Sequence, residues 1–547
     1  MPYNLKGIIF ILCLFLPFNL AAKIPKNVEA FKTLPRSIAK DYYIYRYLRE
    51  KNINSVDATT LLGEAKRVNF KLFHLFAKKI DDKDFKKVST CLKLKTKELL
   101  KTDDDCIAMG LSIKDALSLD KKKIKNLAFR LKNYRDINKT LQMLSLSDVS
   151  RSYKKNPKKF LEIFNAGGDK YRKKLFNNII DKEDISALSE YKSFNKAVEL
   201  TLTQRDLLNV QKSLLLVSNN PNLSQKSLFF LGLNALEFNK KKLALDWFDL
   251  AYKKAYFRFD KDKILFWQYL VTKNRTFIDE LMSSFDVNIY TIYAHELTSK
   301  KFNNIMQVSV KNKNKKYDIQ NPFLWTNLLR EIKDKNSSEI MKIAQKYRYK
   351  NTIGQYSFLL ERSSRYKNSY FPVPFDKYLK KYSTKRASLI LALARQESRF
   401  VPASVSTSYA LGMMQFMPFL ARAVAKEKNI GGFDLDNMFD PKTAYKFANI
   451  HLNYLSKYLY HPLFIAYAYN GGIGYVKRLL KSGYFFQKAE FEPYLSMELI
   501  SYPQTRRYGK KVLANYVIYM QLLGEKVSLS SLFQTLTQPA NTDIFRH

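Results

Sequence analysis

Glycine and proline are scarce, with 16 of each in 547 residues. Tight hairpins depend on both, so the scarcity excludes an all-β architecture rich in turns. Cysteine occurs 3 times, too seldom for a scaffold held mainly by disulfides. The 5 histidines, at positions 74, 295, 451, 461 and 547, show no zinc spacing, and neither a metal nor another cofactor is expected. Beyond residue 22 there is no long uncharged run, which excludes a membrane-spanning helix there. Acidic residues number 49 against 94 Lys and Arg, a net charge of +45.

What the chain has in quantity is Leu, Lys, Ala, Phe and Tyr, spread over long segments. Hydrophobic residues make up 46% and charged residues 26%, the balance of a globular chain. A length of 547 residues exceeds one hydrophobic core and predicts about three units. The lysines are scattered and accompany abundant Asn, Ile, Tyr and Phe, as AT-rich codons produce. The charge is therefore read first as compositional, and second as attraction to an anionic polymer. No interleaved aromatic and basic motif points to nucleic acid.

Residues 1–22 read as a secretory signal peptide. Lys6 precedes an apolar run from Gly7 to Leu20, and Ala21-Ala22 supply small residues before Lys23. Cys13 follows Leu12, where lipidation would want a small residue. Export leaves Cys91 and Cys106, an even number, and a disulfide between them is expected, with two reduced core cysteines as the alternative.

Residues 23–300 show apolar residues at i, i+3, i+4 and i+7, broken by short polar stretches, and predict an α-superhelical domain. The stretch LGLNALEFNKKKLALDWFDLAYKKA, beginning at Leu231, looks like one tetratricopeptide-type helical hairpin. Residues 301–369 read as a small helical linker domain. Two prolines, Pro372 and Pro374, mark the boundary of a third unit, 370–547. The fold class expected is all-α.

Within that third unit, the segment 387–396 is almost wholly apolar and predicts a buried helix with Glu397 and Ser398 at its C-terminal end. Helix dipole and apolar surroundings both raise the pKa of a carboxyl placed there, as a general acid needs. By itself, a solvated helix-end Glu is the preferred explanation of the pattern. The following residues change that. Glu397, Ser398, Phe400, Pro402, Ser406, Ala410, Gly412, Met414, Gln415, Met417 and Pro418 stand in an ungapped motif. Ala468-Tyr469-Asn470-Gly471-Gly472 forms a second, and Glu498, Tyr502-Pro503, Thr505-Arg506 and Tyr508 a third. Together these resemble the catalytic region of the soluble lytic murein transglycosylases. Met413, Thr407, Tyr409, Gln504 and Gly509 depart from the family pattern, which has Leu, Pro, Gly, Glu and Val there.

The resemblance implies a lysozyme-like domain over 370–547, behind a superhelix that closes into a ring in relatives. It implies Glu397 as the single catalytic acid and base. Ser398, Ser406, Met414, Gln415, Met417, Tyr469, Asn470, Glu498 and Tyr508 are then expected around the substrate or the acid. Gly412, Gly471 and Gly472 read as turn positions. The expected reaction is non-hydrolytic cleavage of the MurNAc–GlcNAc β-1,4 bond of peptidoglycan, leaving 1,6-anhydro ends. The expected setting is the periplasm, at the cell wall or outer membrane, with the protein a monomer and cell-wall synthases or amidases as its protein partners. A hydrolytic muramidase on the same fold would need a second carboxylate; Asp434, Asp436 and Asp440 read instead as a polar loop and helix cap. A catalytically silent glycan-binding scaffold is the other alternative.

Overall fold

Polar caps cut the first part of the chain into short helices. Asn27, Ser37, Asn54, Asn69, Asp82, Asp103, Ser112 and Asp120 each accept a hydrogen bond from a backbone N–H in the first turn that follows. Between the caps, one apolar stripe per helix is buried against its neighbours. The computed structural model describes residues 25–314 and 316–546. The signal-peptide reading of 1–22 therefore lies outside the described residues.

From Val28–Lys32 to Ile289–Thr298 the helices pack mostly against their neighbours in sequence, as in a solenoid. The hairpin expected near Leu231 is formed by Gln225–Glu237 and Lys241–Lys254. Its helices approach so closely that a β-carbon on Gly232 would lie 2.4 Å from the Phe248 ring. Earlier in the solenoid, Cys91 and Cys106 are joined by a disulfide between the helices Lys83–Cys91 and Asp104–Gly110.

The linker segment has its own small core, which includes Leu328, Ile332, Ile340, Leu359 and Tyr370. Its helices are Pro322–Glu331, Ser337–Gln345 and Ile353–Ser363. A two-residue parallel pairing, Ile305–Met306 with Ser369–Tyr370, ties its beginning to its end. Helical periodicity gave no sign of that pairing, which is too short to carry one. By contrast, buried residues of 28–294 and 371–545 form one continuous hydrophobic cluster.

The superhelix meets the C-terminal part at both ends. Near its beginning, Arg46 forms ion pairs with Asp434 at 2.6 Å and Asp436 at 3.0 Å. Tyr42 and Tyr43 donate to the same Asp436, and Tyr43 stacks on Phe323 of the linker. Further along it, Arg506 reaches Glu199 at 2.6 Å, and near its end Glu296 accepts from the backbone N–H groups of Leu529 and Ser530. The chain thus closes on itself. Asp434 and Asp440 do cap helices, as the sequence suggests, but Asp434 and Asp436 also serve this closure. No helix among the described residues is long and apolar enough to cross a membrane.

Candidate active site

The helix Thr384–Ser398 starts at the Ser383 cap and is buried from Ala387 to Ala394. It packs along the long helix Pro503–Leu522. Asn515 on that helix donates to the Ala392 carbonyl and accepts from Arg395. After Ser398 the chain turns through left-handed conformations at Arg399 and Phe400, with φ of 55° and 64°. Glu397 is therefore held in the last helical turn, where its side chain enters a cleft.

Burial pushes the Glu397 carboxyl up to about 7, and a hydrogen bond from Tyr508 offsets this only in part. That bond runs from the Tyr508 hydroxyl to Oε1 at 2.7 Å. Tyr508 is itself held well above its usual range, first by burial and then by Glu397, so it remains a neutral donor. The result is a carboxyl that is about half protonated near neutral pH and fixed by one donor.

The cleft has a volume of about 800 Å³. Glu397, Ser406, Gln415, Asn470, Glu498 and Tyr508 line it, so the structure brings these predicted residues together. Several are already engaged within the protein. Ser406 accepts from the Ala410 N–H. Gln415 donates to the carbonyls of Ser404 and Gly412. The Asn470 side-chain oxygen accepts from Thr505.

Ser398, Met414, Met417 and Tyr469 are not on the cleft wall. Ser398 donates to the Met413 carbonyl at 2.9 Å, and Tyr469 to the Met414 carbonyl at 2.9 Å. Met414 is completely buried, and Met417 immediately precedes the helix Pro418–Glu427, making no side-chain capping bond. The hydroxyls of Ser398 and Tyr469 thus hold the loop 404–417 through its backbone. Gly412 and Gly472 have φ of 75° and 83°, as turn positions should. Gly471 corrects the sequence reading. It is the last residue of the helix Pro462–Gly471, and a β-carbon there would stand 3.0 Å from the Thr505 hydroxyl.

Glu498 is a second carboxylate in the cleft, but it is buried and fully engaged. Its oxygens accept from Tyr290 and from Lys510, the latter at 2.6 Å. Burial raises its pKa; Lys510 and Lys263 beside it, with these hydrogen bonds, outweigh that and hold it below the usual range. Asp260, on the facing wall, pairs with Lys263 at 3.1 Å. Glu397 alone among these carboxylates has no cation on it.

That facing wall was invisible in the motifs. It comes from the superhelix, through Phe229, Phe230, Phe259, Lys226 and Lys263. Arg507 and Lys511, one turn apart and flanking Tyr508, also line the cleft. Their spacing from the third motif was a usable signal.

Three departures from the family pattern have structural surroundings that bear on them. Tyr409 packs against Tyr42 and Tyr45, while the Thr407 carbonyl accepts from Asn69, so this loop docks on the N-terminal helices. Gly509 faces Tyr467, whose ring lies 2.1 Å from where a β-carbon would be. Gly509→Val, although it restores the family residue, is expected to destabilise the protein by about 1–3 kcal/mol, read as a lower urea midpoint. An unchanged midpoint would mean that Tyr467 moves aside freely.

Residues 374–492 match the family model of the transglycosylase SLT domain, a match that stops short of the Glu498–Tyr508 motif. A 215-residue stretch is 28% identical to the soluble lytic murein transglycosylase of Escherichia coli strain K12, covering 38% of this chain and 32% of that protein. A putative soluble lytic murein transglycosylase of Haemophilus influenzae is 32% identical over 139 residues, covering 25% of this chain and 22% of the other. The chain thus spans about a third or less of the length of the curated relatives it matches. Among solved structures, the 70 kDa soluble lytic transglycosylase of Escherichia coli aligns with a TM-score of 0.47 and 15% identity, over 94% of this chain and 90% of that one.

Proposed function

We propose that this chain, whose residues 374–492 belong to the transglycosylase SLT domain family, cleaves the MurNAc–GlcNAc β-1,4 bond of peptidoglycan without water and leaves 1,6-anhydro-MurNAc ends. The observation that carries the reading is the state of the carboxylates. Glu397 is raised to about 7 and free of cations, whereas Glu498 and Asp260 are paired with lysines. A hydrolase that activates water normally needs a second free carboxylate. A single carboxyl suffices when the nucleophile is already part of the substrate.

Protonated Glu397 gives its proton to the glycosidic oxygen as the bond to the muramic acid anomeric carbon breaks. The resulting carboxylate then takes the proton of the C6 hydroxyl on the same sugar, and that oxygen closes on the anomeric carbon. Proton and leaving group balance, with no water consumed. Intramolecular attack benefits from high effective molarity. Tyr508 holds the acid in place and donates to its charged form between the two steps. The sequence of residues 1–22 supports an exported, periplasmic protein.

Mass spectrometry of muropeptides released from purified sacculi tests the reading. Anhydro products about 18 Da lighter than reducing muropeptides are expected. Products with free reducing ends would make the protein a hydrolase instead.

The protonated acid is present below about pH 7 and lost above it. The value of kcat/KM should therefore fall as pH rises through about 7. Tyr508→Phe removes the donor that favours the charged form, so its alkaline limb should move to higher pH while kcat drops. An unmoved limb would separate Tyr508 from the titration of the acid.

A further inference from the structure

Behind the acid-bearing helix lies a second cavity, of about 370 Å³. It is bounded by superhelix residues 257–259 and 286–288, by linker residues between 361 and 369, by Arg399, and by the two helices that carry Arg395 and Lys511. Phe259, Gln396, Arg507 and Lys511 line both this cavity and the main cleft. The two spaces therefore share part of their wall at these four residues.

The charges facing that space do not balance. Its cations are Arg258, Arg395, Arg399, Arg507 and Lys511, and its carboxylates are Asp286 and Glu361. Glu361 is taken by Arg395 and Arg399, and Arg258 by Asp262. Asp286 accepts from Asn288. Arg507 lies over the Phe259 ring at 5.7 Å and pairs with no carboxylate among the described residues. Lys511 likewise has no hydrogen bond or ion pair there. Burial, together with Arg507, Arg399 and Arg395 nearby, pushes the Lys511 ammonium down to about 8, with Asp286 opposing only in part. Both side chains stand one turn apart on the helix Pro503–Leu522, on either side of Tyr508. The neighbouring Arg506 differs: it is buried and tied to Glu199.

We propose that Arg507 and Lys511 form a carboxylate subsite for the peptide that hangs from muramic acid, making them specificity-determining residues for peptide-bearing glycan. The inference rests on the peptidoglycan reading given above. An Arg fork suits a carboxylate in two-point contact, and the lysine adds a point charge beside it. The lactyl group of muramic acid would bring the peptide into the cleft, and the second cavity would receive its distal carboxylates. Sugar hydroxyls and acetamido groups carry no charge, so the glycan alone cannot neutralise this pair.

Two measurements on the full chain test it. In the first, kcat/KM is determined on glycan strands with intact stem peptides and on strands stripped by an amidase, for the wild type, Arg507→Gln, Lys511→Gln and the double variant. The ratio of peptide-bearing to peptide-free kcat/KM should fall about tenfold in the double variant, mainly through KM. Lys511→Arg should retain most of the ratio. An unchanged ratio in a folded double variant overturns the proposal. In the second, the isolated stem tripeptide with free carboxylates is titrated into wild type and double variant and followed calorimetrically. Binding lost in the variant, and lost for the wild type when the carboxylates are amidated, supports the subsite even if no anhydro product forms. That last outcome would sink the enzymatic reading alone. Equal binding by wild type and variant overturns the subsite.

Discussion

Glu397→Gln is expected to lower kcat on sacculi by at least about 10³-fold while the protein keeps its fold and its hold on glycan. General acid–base catalysis by one group is worth about 10²–10⁴-fold, and here one carboxyl acts in both directions, so the upper part of that range applies. Gln matches Glu in shape and still offers an oxygen to the Tyr508 hydroxyl, which sits 2.7 Å from Oε1. It can neither give nor take the proton. Muropeptide release at fixed pH, beside binding of intact strands, separates the loss of chemistry from loss of affinity. A variant that stays active would move the acid elsewhere, with Glu498 the first residue to test.

The same variant has a stability signature whose sign follows from linkage. A carboxyl raised from 4.5 to about 7 in the folded state stabilises that state fully below 4.5, and the benefit is lost as pH rises through about 7. Gln has no such loss. Wild type and variant should therefore unfold alike below about pH 4.5, and the variant should pull ahead between there and about 7, with a constant gap above. Thermal melts across pH decide this. Parallel curves would mean that Glu397 is less desolvated than its surroundings suggest.

Lys510→Met carries the largest expected effect on stability. Lys510 and Glu498 have side chains 3% and 5% exposed, with 2.6 Å between Nζ and Oε2. Removing the lysine leaves a buried carboxylate whose remaining donor is the Tyr290 hydroxyl. A broken buried pair costs about 3–5 kcal/mol because the orphaned charge has nowhere to go. A large drop in the urea midpoint is expected. Lys510→Met combined with Glu498→Gln should recover most of it, since no charge is then buried alone. Failure of the double variant to recover would show that the ammonium serves packing or superhelix contact as well. Tyr290 belongs to the superhelix, so this pair also joins the superhelix to the helix that positions Tyr508. Activity of the single variant should fall along with its stability.

The half of the cleft that holds Glu397 was legible because its motifs depend on short spacings. Glu397 sits at the end of an apolar helix, and a helix of that composition has to be buried. The loop that follows needs Gly412 for its left-handed turn, and its polar side chains satisfy backbone groups within a few residues. The same local pattern did not reveal what Ser398 and Tyr469 bond to within the protein. A motif marks which residues must be present, but touching substrate and propping the loop impose the same identity. Only the hydrogen bonds to Met413 and Met414 distinguish the two roles.

By itself, the sequence determined the helical class, the place of Glu397 at the end of a buried helix and the local turns of the loop that follows it. Each depends on contacts between residues close in the chain, and such contacts impose periodicity and fixed spacing. The tertiary structure alone decided what faces the acid. Arg46 finds Asp434, Glu199 finds Arg506 and Tyr290 finds Glu498 across hundreds of residues. No spacing rule links such partners. Their meeting is set by how every intervening helical hairpin packs on the next, and that accumulated geometry brings Phe259, Lys263, Arg507 and Lys511 around one cleft.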